Sequence, residues 1–430
     1  NIFIIMEIKK KHIVVLVGSY YPNFSAVGIC ARNVVDELKK EADISVISQK
    51  TDINEKDEEE YDGYRIIRNS TKLNTLRLYA INKKNTLPKL FSLFWLILIN
   101  LIRTISFLRA ILCKVNIKND QVDEYIKVLA SVGEKKTIDT ILCCSFPFES
   151  TLAGIQYKKL HDKQVKVIPY FFDNFVERDG LHRTGWNKRM KWNKHIDLVK
   201  AVLKESDHLF VMHTLRNHFQ TYYTEDVEKI TYTEHPLLIE AKANAYKTNE
   251  HAVLVYAGAF LKHYVEPYFL VDTLKEILKR HLINIDFYVM GNCTKYIDEL
   301  TSQFPINVKN YGKVTFETAN RAILAADILL CVAECSGIQM SSKIFTYMSV
   351  GKPIILFYNN ENDINKRILS KYPLVLFIKE EVKITKETSA RIVNFIEINK
   401  NNRLNFCEVC SLYPEAEPRF TAQKILTIIQ

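Results

Sequence analysis

The chain has no G-x-G-x-x-G. The loop after its first apolar run, Ser19 to Gly28, holds one glycine where the dinucleotide fingerprint needs three at fixed offsets, so a nicotinamide-dependent dehydrogenase loses its main support. Cysteine is thin: nine residues scattered over 430 do not make the dense framework of a small secreted domain, and a reducing cytoplasm fits better. The single C-x-x-C, Cys407 and Cys410, has no second pair at zinc-ligand spacing, and Cys331 and Cys335 stand in a mostly apolar context, so no metal site is expected. Asn1 to Met6 is apolar but is followed by Lys9, Lys10 and Lys11, the reverse of a signal peptide's order, with Met6 as the candidate natural initiator. Self-similar repeats and low-complexity tracts are missing, which excludes solenoids and propellers. The most hydrophobic run, Leu90 to Ile102, is too short on this reading to cross a bilayer.

What is present points to a globular α/β protein of two lobes. A length of 430 residues exceeds one ordinary domain, and 47% hydrophobic with 25% charged residues can bury sizeable cores. Short β-branched runs alternate with helical patterns from end to end, the mark of parallel sheets with crossover helices. In the first lobe the expected strands are His12 to Val17, Ile44 to Ser48, Tyr64 to Arg68, Thr140 to Cys144, Val165 to Phe172 and Leu209 to His213, with a helix from about Cys30 to Lys40. The polar stretch Glu240 to His251 reads as a linker. Beyond it the expected strands are Val253 to Tyr256, Ile285 to Met290, Val308 to Tyr311, Ile328 to Val332, Ile354 to Phe357 and Leu374 to Phe377. Residues 1–240 and 241–405 are thus assigned to an N-terminal and a C-terminal domain, and 406–430, including Phe420 to Ile429, to a last segment that helps tie the lobes together.

Several strands are read as ending at a glycine, Gly258, Gly291 and Gly312, and ligands of open α/β sheets bind at the carboxyl ends of strands. In the first lobe, Asn23, Ser25 and Gly28 lie in a loop that opens a helix, where backbone N–H groups can approach an anion or simply form a turn. In the second, Lys262 follows Tyr256-Ala257-Gly258, and Ser341-Ser342-Lys343 opens a helix after a loop containing Gly337. Lysines and hydroxyls at these places suit a diphosphate. Asp173, in Tyr170-Phe171-Phe172-Asp173-Asn174, either binds acceptor hydroxyls or caps the next segment.

Ala325-Ala326-Asp327-Ile328-Leu329-Leu330, followed by Ser342-Lys343-Ile344-Phe345-Thr346-Tyr347-Met348-Ser349-Val350-Gly351-Lys352-Pro353, resembles the donor-binding lobe of GT-B glycosyltransferases of family 4. Tyr256-Ala257-Gly258, Val289-Met290-Gly291 and Tyr311-Gly312-Lys313-Val314 fall in that family's order, and Tyr21-Pro22 to Gly28 looks like its first-lobe loop. The resemblance implies two facing Rossmann-like doubly wound domains, a nucleotide-sugar donor on the second, a glycan or lipid-linked acceptor on the first, transfer with retained anomeric configuration in the cleft, and neither metal nor cofactor. It also implies that the last segment, 406–430, packs back on the first domain. It assigns Lys262 and Lys343 to the donor diphosphate, Ser341 and Ser342 to helix-start contacts, and Gly312 and Lys313 to the neighbourhood of the base. Where the family has two glutamates eight residues apart, this chain has Ile338 and Thr346, with Glu334 four residues before Ile338.

Three segments lie outside that reading. Glu55 to Asp62 is a run of acids expected in a solvated loop. Leu90 to Ile102, an apolar helix preceded by Lys83, Lys84 and Lys89 and followed by Arg103, Arg109 and Lys114, is either a buried lobe helix or, through Leu90 to Lys114, a contact with an anionic membrane surface at the inner face. His182 to His195 interleaves basic residues with Trp186 and Trp192; a solvated face or phosphate contact is expected there rather than nucleic acid, despite the net charge of +10. Other classes remain open: a non-catalytic sugar-nucleotide or glycan-binding subunit, and a nucleotide-sugar 2-epimerase, for which no cluster of acid and histidine groups is found.

Overall fold

The computed structural model describes residues 10–430 apart from 226, 242–249, 338, 339, 342, 382 and 383. The expected contribution of Ser342, the Ile338 position and most of the expected linker therefore lie outside the described residues. The chain divides into two compact units, Asn1–Pro236 with Pro418–Gln430, and Leu237–Glu417.

The first unit runs β1 (His12–Leu16), α1 (Ala26–Leu38), β2 (Asp43–Gln49), β3 (Glu58–Tyr61), β4 (Tyr64–Asn69), α2 (Lys72–Thr86), α3 (Lys89–Leu112), α4 (Asn119–Lys135), β5 (Thr140–Cys144), α5 (Phe148–Leu160), β6 (Lys166–Phe171), α6 (Asp179–His182), α7 (Gly185–Glu205), β7 (Leu209–Met212), α8 (Arg216–Tyr222) and β8 (Ile230–Thr233). The second follows with β9 (Val253–Phe260), α9 (Tyr268–Leu278), β10 (Asn284–Gly291), α10 (Lys295–Gln303), β11 (Val308–Asn310), α11 (Phe316–Ala325), β12 (Ile328–Val332), α12 (Lys343–Ser349), β13 (Ile354–Tyr358), α13 (Ile364–Leu369), β14 (Val375–Lys379), α14 (Lys386–Asn399) and α15 (Phe406–Leu412). The chain then returns to the first unit as α16 (Pro418–Ile429).

Two sheets result, ordered β3-β4-β2-β1-β5-β6-β7-β8 and β11-β10-β9-β12-β13-β14. Apart from the antiparallel β3–β4 pair, every pairing in them is parallel. Their central strands are uninterrupted apolar runs, as a sheet covered by helices on both faces requires: β1 (HIVVL), β5 (TILCC), β12 (ILLCV) and β13 (IILFY) are buried at every position. Strand order reverses beside β1 in one sheet and between β9 and β12 in the other, and a doubly wound sheet opens a crevice at such a point.

The structure corrects several expectations. Helix α1 starts at Ala26 rather than near Cys30, because the Ser25 side chain accepts the Gly28 N–H at 3.0 Å and caps it there. The acidic run is not a plain solvated loop. Glu58–Tyr61 is the antiparallel edge strand β3, and the buried Arg68 guanidinium on β4 draws in Glu55 (3.7 Å) and Glu59. The segment that returns to the first unit begins at Pro418, not 406, because α15 buries Val409 in the second unit's core beside Phe345 and Tyr347. The basic stretch after His182 keeps an exposed face, with Arg183, Trp186, Arg189 and Lys194 in solvent as expected, but Asn187, Lys191 and His195 on α7 turn inward and are buried. Finally, the apolar run belongs to a 24-residue helix, α3, long and apolar enough to cross a membrane, yet only 11% of its most apolar window is buried. It is not the buried lobe helix of the alternative reading, and it is longer than the run of apolar residues suggested.

Candidate active site

The second sheet's switch point is where two of the expected site residues, Gly258 and Lys343, meet. Strand β12 pairs with β9 only at Ile328↔Leu254 and Leu329↔Val255, whereas β9 continues alongside β10 to Phe260. The carboxyl-terminal half of β9 is therefore free of β12. Gly258 lies inside this half, not past the end of the strand as expected, and β10's own glycine, Gly291, is its last residue.

Lys343, the first residue of α12, reaches into this gap. A Cβ on Gly258 would stand 1.8 Å from Lys343 Nζ, so only glycine lets the ammonium approach the strand. Nζ lies 4.7 Å from the centroid of the Tyr256 ring and 3.4 Å from its hydroxyl, and Tyr256 stacks on Phe260. No carboxylate among the described residues pairs with it, and burial pulls its pKa below the usual lysine value. A cation seated over an aromatic ring without a counter-ion is poised for an anion.

Around it the other residues divide. Lys262 is exposed two residues beyond β9, its backbone N–H donating to Asn292 Oδ1 at 2.9 Å. Glu334 follows β12, is buried, and accepts the Ser336 backbone N–H at 2.9 Å as well as its hydroxyl, which fixes the carboxylate in a turn. Gly337, at φ +71°, packs where a Cβ would meet Asn360 at 2.9 Å, and its carbonyl accepts the Ile364 N–H, so it joins the loop after β12 to the loop after β13. Thr346 is half-buried on α12, one turn after Lys343. Gly312, whose N–H donates to Asn310 Oδ1, and the exposed Lys313 follow edge strand β11, two strands out from β9.

Of the expected helix-start pair, Ser341 is the member among the described residues. The backbone N–H of Ser341 donates to Asn365 Oδ1 at 2.7 Å, so it is spent inside the protein. In the first unit, Asn23 donates to Thr51 and Glu55 at 3.2 Å each, and Gly28 is pressed against its own loop. Asp173 is exposed; the capping role is taken by Asn174, whose side chain accepts the Val176 and Glu177 N–H groups at 3.0 and 3.2 Å.

Two carboxyl groups escaped the sequence reading. Asp363 is buried; one of its oxygens caps α13 through the Asn365 and Lys366 N–H groups, the other has no hydrogen-bond partner among the described residues, and burial raises its pKa. Glu380, just past β14, is pushed up to about 7 by burial and by the nearby Glu266. The signal that would have found Glu380 is the one used for the glycines, a position at the carboxyl end of a strand.

Two parallel-sheet, Rossmann-like units give the chain the GT-B fold of glycosyltransferases. Three solved structures illustrate the match: OtsA in its apo form (TM-score 0.57, 8% identity, 98% of this chain and 99% of that one), sucrose-phosphate synthase from Thermosynechococcus elongatus (0.55, 10%, 97% and 98%), and the lipopolysaccharide outer core galactosyltransferase WaaB in its apo form (0.54, 11%, 97% and 99%). No family model matches the chain, and no curated protein matches it in sequence.

Proposed function

We propose that the chain is a glycosyltransferase that moves a sugar from a nucleotide-sugar donor, held by the second unit, to a glycan or lipid-linked acceptor in surface polysaccharide synthesis at the cytoplasmic face of a membrane. The observation that carries this reading is the Lys343 ammonium, half-buried against Gly258 at the switch point and without a carboxylate partner among the described residues. As the bond from the anomeric carbon to the donor phosphate breaks, its electron pair stays on the diphosphate. A positive charge already desolvated there stabilises that charge without reorganisation. Lys262 supplies a second, mobile charge, Glu334 faces the sugar, and Gly312 and Lys313 lie toward the base. The acceptor hydroxyl forms the new bond to the anomeric carbon on the face the diphosphate leaves, and its proton goes to a phosphate oxygen. No metal is called on, and configuration is retained.

A thermal-shift series with UDP, GDP, CMP, ADP and dTDP, run beside Lys343→Ala, tests it. One nucleotide should raise the melting temperature, because saturation at about 100 times Kd adds roughly 2.7 kcal/mol, and Lys343→Ala should abolish the shift. No shift with any of the five would sink the reading.

Thr346, neutral where the resemblance expects a glutamate, and the occupied Ser341 N–H favour a second reading, a non-catalytic sugar-nucleotide-binding subunit. Binding without transfer to any acceptor would support it. Release of free nucleotide with no acceptor present would point to epimerisation or hydrolysis.

A further inference from the structure

Helices α2 and α3 form a packed hairpin, joined at Leu87 and Pro88, that stands out in both polarity and charge. On α3 the large apolar side chains face water on more than one side: Leu90 is 83% exposed, Phe94 64% and Ile97 61%, and only Ile99 and Ile102 are buried. Exposed apolar surface of this extent on a water-soluble unit marks a binding face. From Gly63 to Asn119 there is no aspartate or glutamate, while Lys72 to Lys118 carries nine lysines and arginines. That span alone nearly accounts for the chain's net charge of +10.

The far end of α3 is fastened to the first unit. The buried Lys191 ammonium on α7 donates to the Ala110 carbonyl at 2.6 Å and to Asn116 Oδ1 at 2.7 Å, and Asn187 donates to the same carbonyl at 2.7 Å. His195 Nε2 accepts the Asn116 N–H at 3.0 Å, and Arg109 pairs with Asp120 on α4 at 3.1 Å. The other end of the hairpin leaves β4 under the Thr71 cap of α2. Both ends thus belong to one globular unit on one side of any membrane. A spanning α3, about 36 Å long at 1.5 Å per residue, would carry Lys84, Lys89 and the turn to the far side and bring α2 back through the hydrocarbon with Arg77. A second copy of the hairpin would set its own cations against these.

We propose that α3 lies in the interfacial plane of an anionic lipid bilayer, with Leu90 to Leu101 at the acyl boundary and Lys84, Lys89 and Arg103 among the headgroups. Apolar contact and charge then act together, the pattern by which a basic amphipathic helix holds to anionic lipid. The placement does not depend on sugar transfer, and its test reads no turnover.

The test is flotation of the full chain with vesicles of phosphatidylcholine alone or mixed with phosphatidylglycerol. Binding to the mixed vesicles should exceed binding to phosphatidylcholine by about tenfold or more and fall steeply between about 0.1 and 1 M salt. Phe91→Ser/Phe94→Ser/Ile97→Ser and Lys84→Glu/Lys89→Glu should each cut the bound fraction by about tenfold. All five positions are exposed, so the fold survives, which circular dichroism checks. Bromine on the upper acyl chain should quench Trp95 more than bromine at its end, in a Trp186→Phe/Trp192→Phe background. Equal binding to both vesicle types, no binding, quenching strongest at the chain end, or a dimer in light scattering that the apolar triple variant dissolves would each overturn the proposal.

Discussion

The two switch points are built alike and filled differently. Beside β1, the chain closes the space with itself: the Gly18 N–H donates to the Phe146 carbonyl, Tyr125 donates to the Val17 carbonyl at 2.7 Å, and a Cβ on Gly28 would stand 2.2 Å from the Ser19 carbonyl oxygen. Beside β9, the same device, a glycine that admits a close neighbour, makes room for a charge. One glycine seals a loop; the other seats a lysine. Sheet topology alone therefore does not tell the two crevices apart, and the Lys343 ammonium, with no carboxylate partner among the described residues, does.

That contrast can be broken by giving each glycine a methyl group. Gly28→Ala sets Cβ against backbone that cannot swing away and should cost about 3 kcal/mol of stability, read by urea unfolding. The opposite result, a near-neutral Gly28→Ala, would mean the first loop is as yielding as the second. Gly258→Ala meets the flexible end of Lys343 rather than backbone but also puts a side chain at φ +158°, so it should cost about 1–2 kcal/mol of stability, less than Gly28→Ala, while nucleotide affinity falls at least about tenfold as the Lys343 ammonium is displaced.

The units should also answer pH in opposite senses. In the first, burial, with His182 and Lys191 nearby, pulls His195 down to about 4, so the native state holds it neutral. Its contribution is complete above about 6.5 and is lost as pH falls toward 4, about 2 kcal/mol by pH 5. All three tryptophans lie in that unit, and their fluorescence during urea unfolding at pH 7 and pH 5 reads the loss. In the second, Glu380 is raised to about 7, so its contribution is complete below about 4.5 and fades as pH rises through 7. The effect should be the smaller, visible as faster amide exchange in β14 at pH 8 than at pH 6, after correction for intrinsic rates, and flattened by Glu380→Gln.

Where a strand's own residues carry the apolar signal, the sequence reveals it. Thr140–Cys144 and Ile328–Val332 are read to the residue because each is an unbroken buried run. Strand β3 is not, since Glu-Glu-Glu-Tyr owes its conformation to pairing with β4 and to Arg68 nine residues on. The length of α3 was hidden by Arg103, which ends the apolar run but not the helix, because its side chain faces solvent. Lys343 and Gly258 could each be singled out, yet their contact spans 85 positions and no local pattern encodes it. Asn365, which takes the Ser341 N–H, was invisible for the same reason.

The second unit is one continuous stretch of chain, whereas the first is completed by α16. Thr421 on that helix is buried within 3.4 Å of Tyr170 and 3.3 Å of Thr233, and the Ile428 carbonyl accepts from Lys166 at 2.6 Å. As the ribosome extends the chain, the second unit has all its residues in hand before the first has its last helix. The face of α1 that α16 covers stays open throughout that interval. The N-terminal half, although made first, is the last to close, and a nascent chain stalled within the second unit presents that open face to the quality-control machinery of the cell.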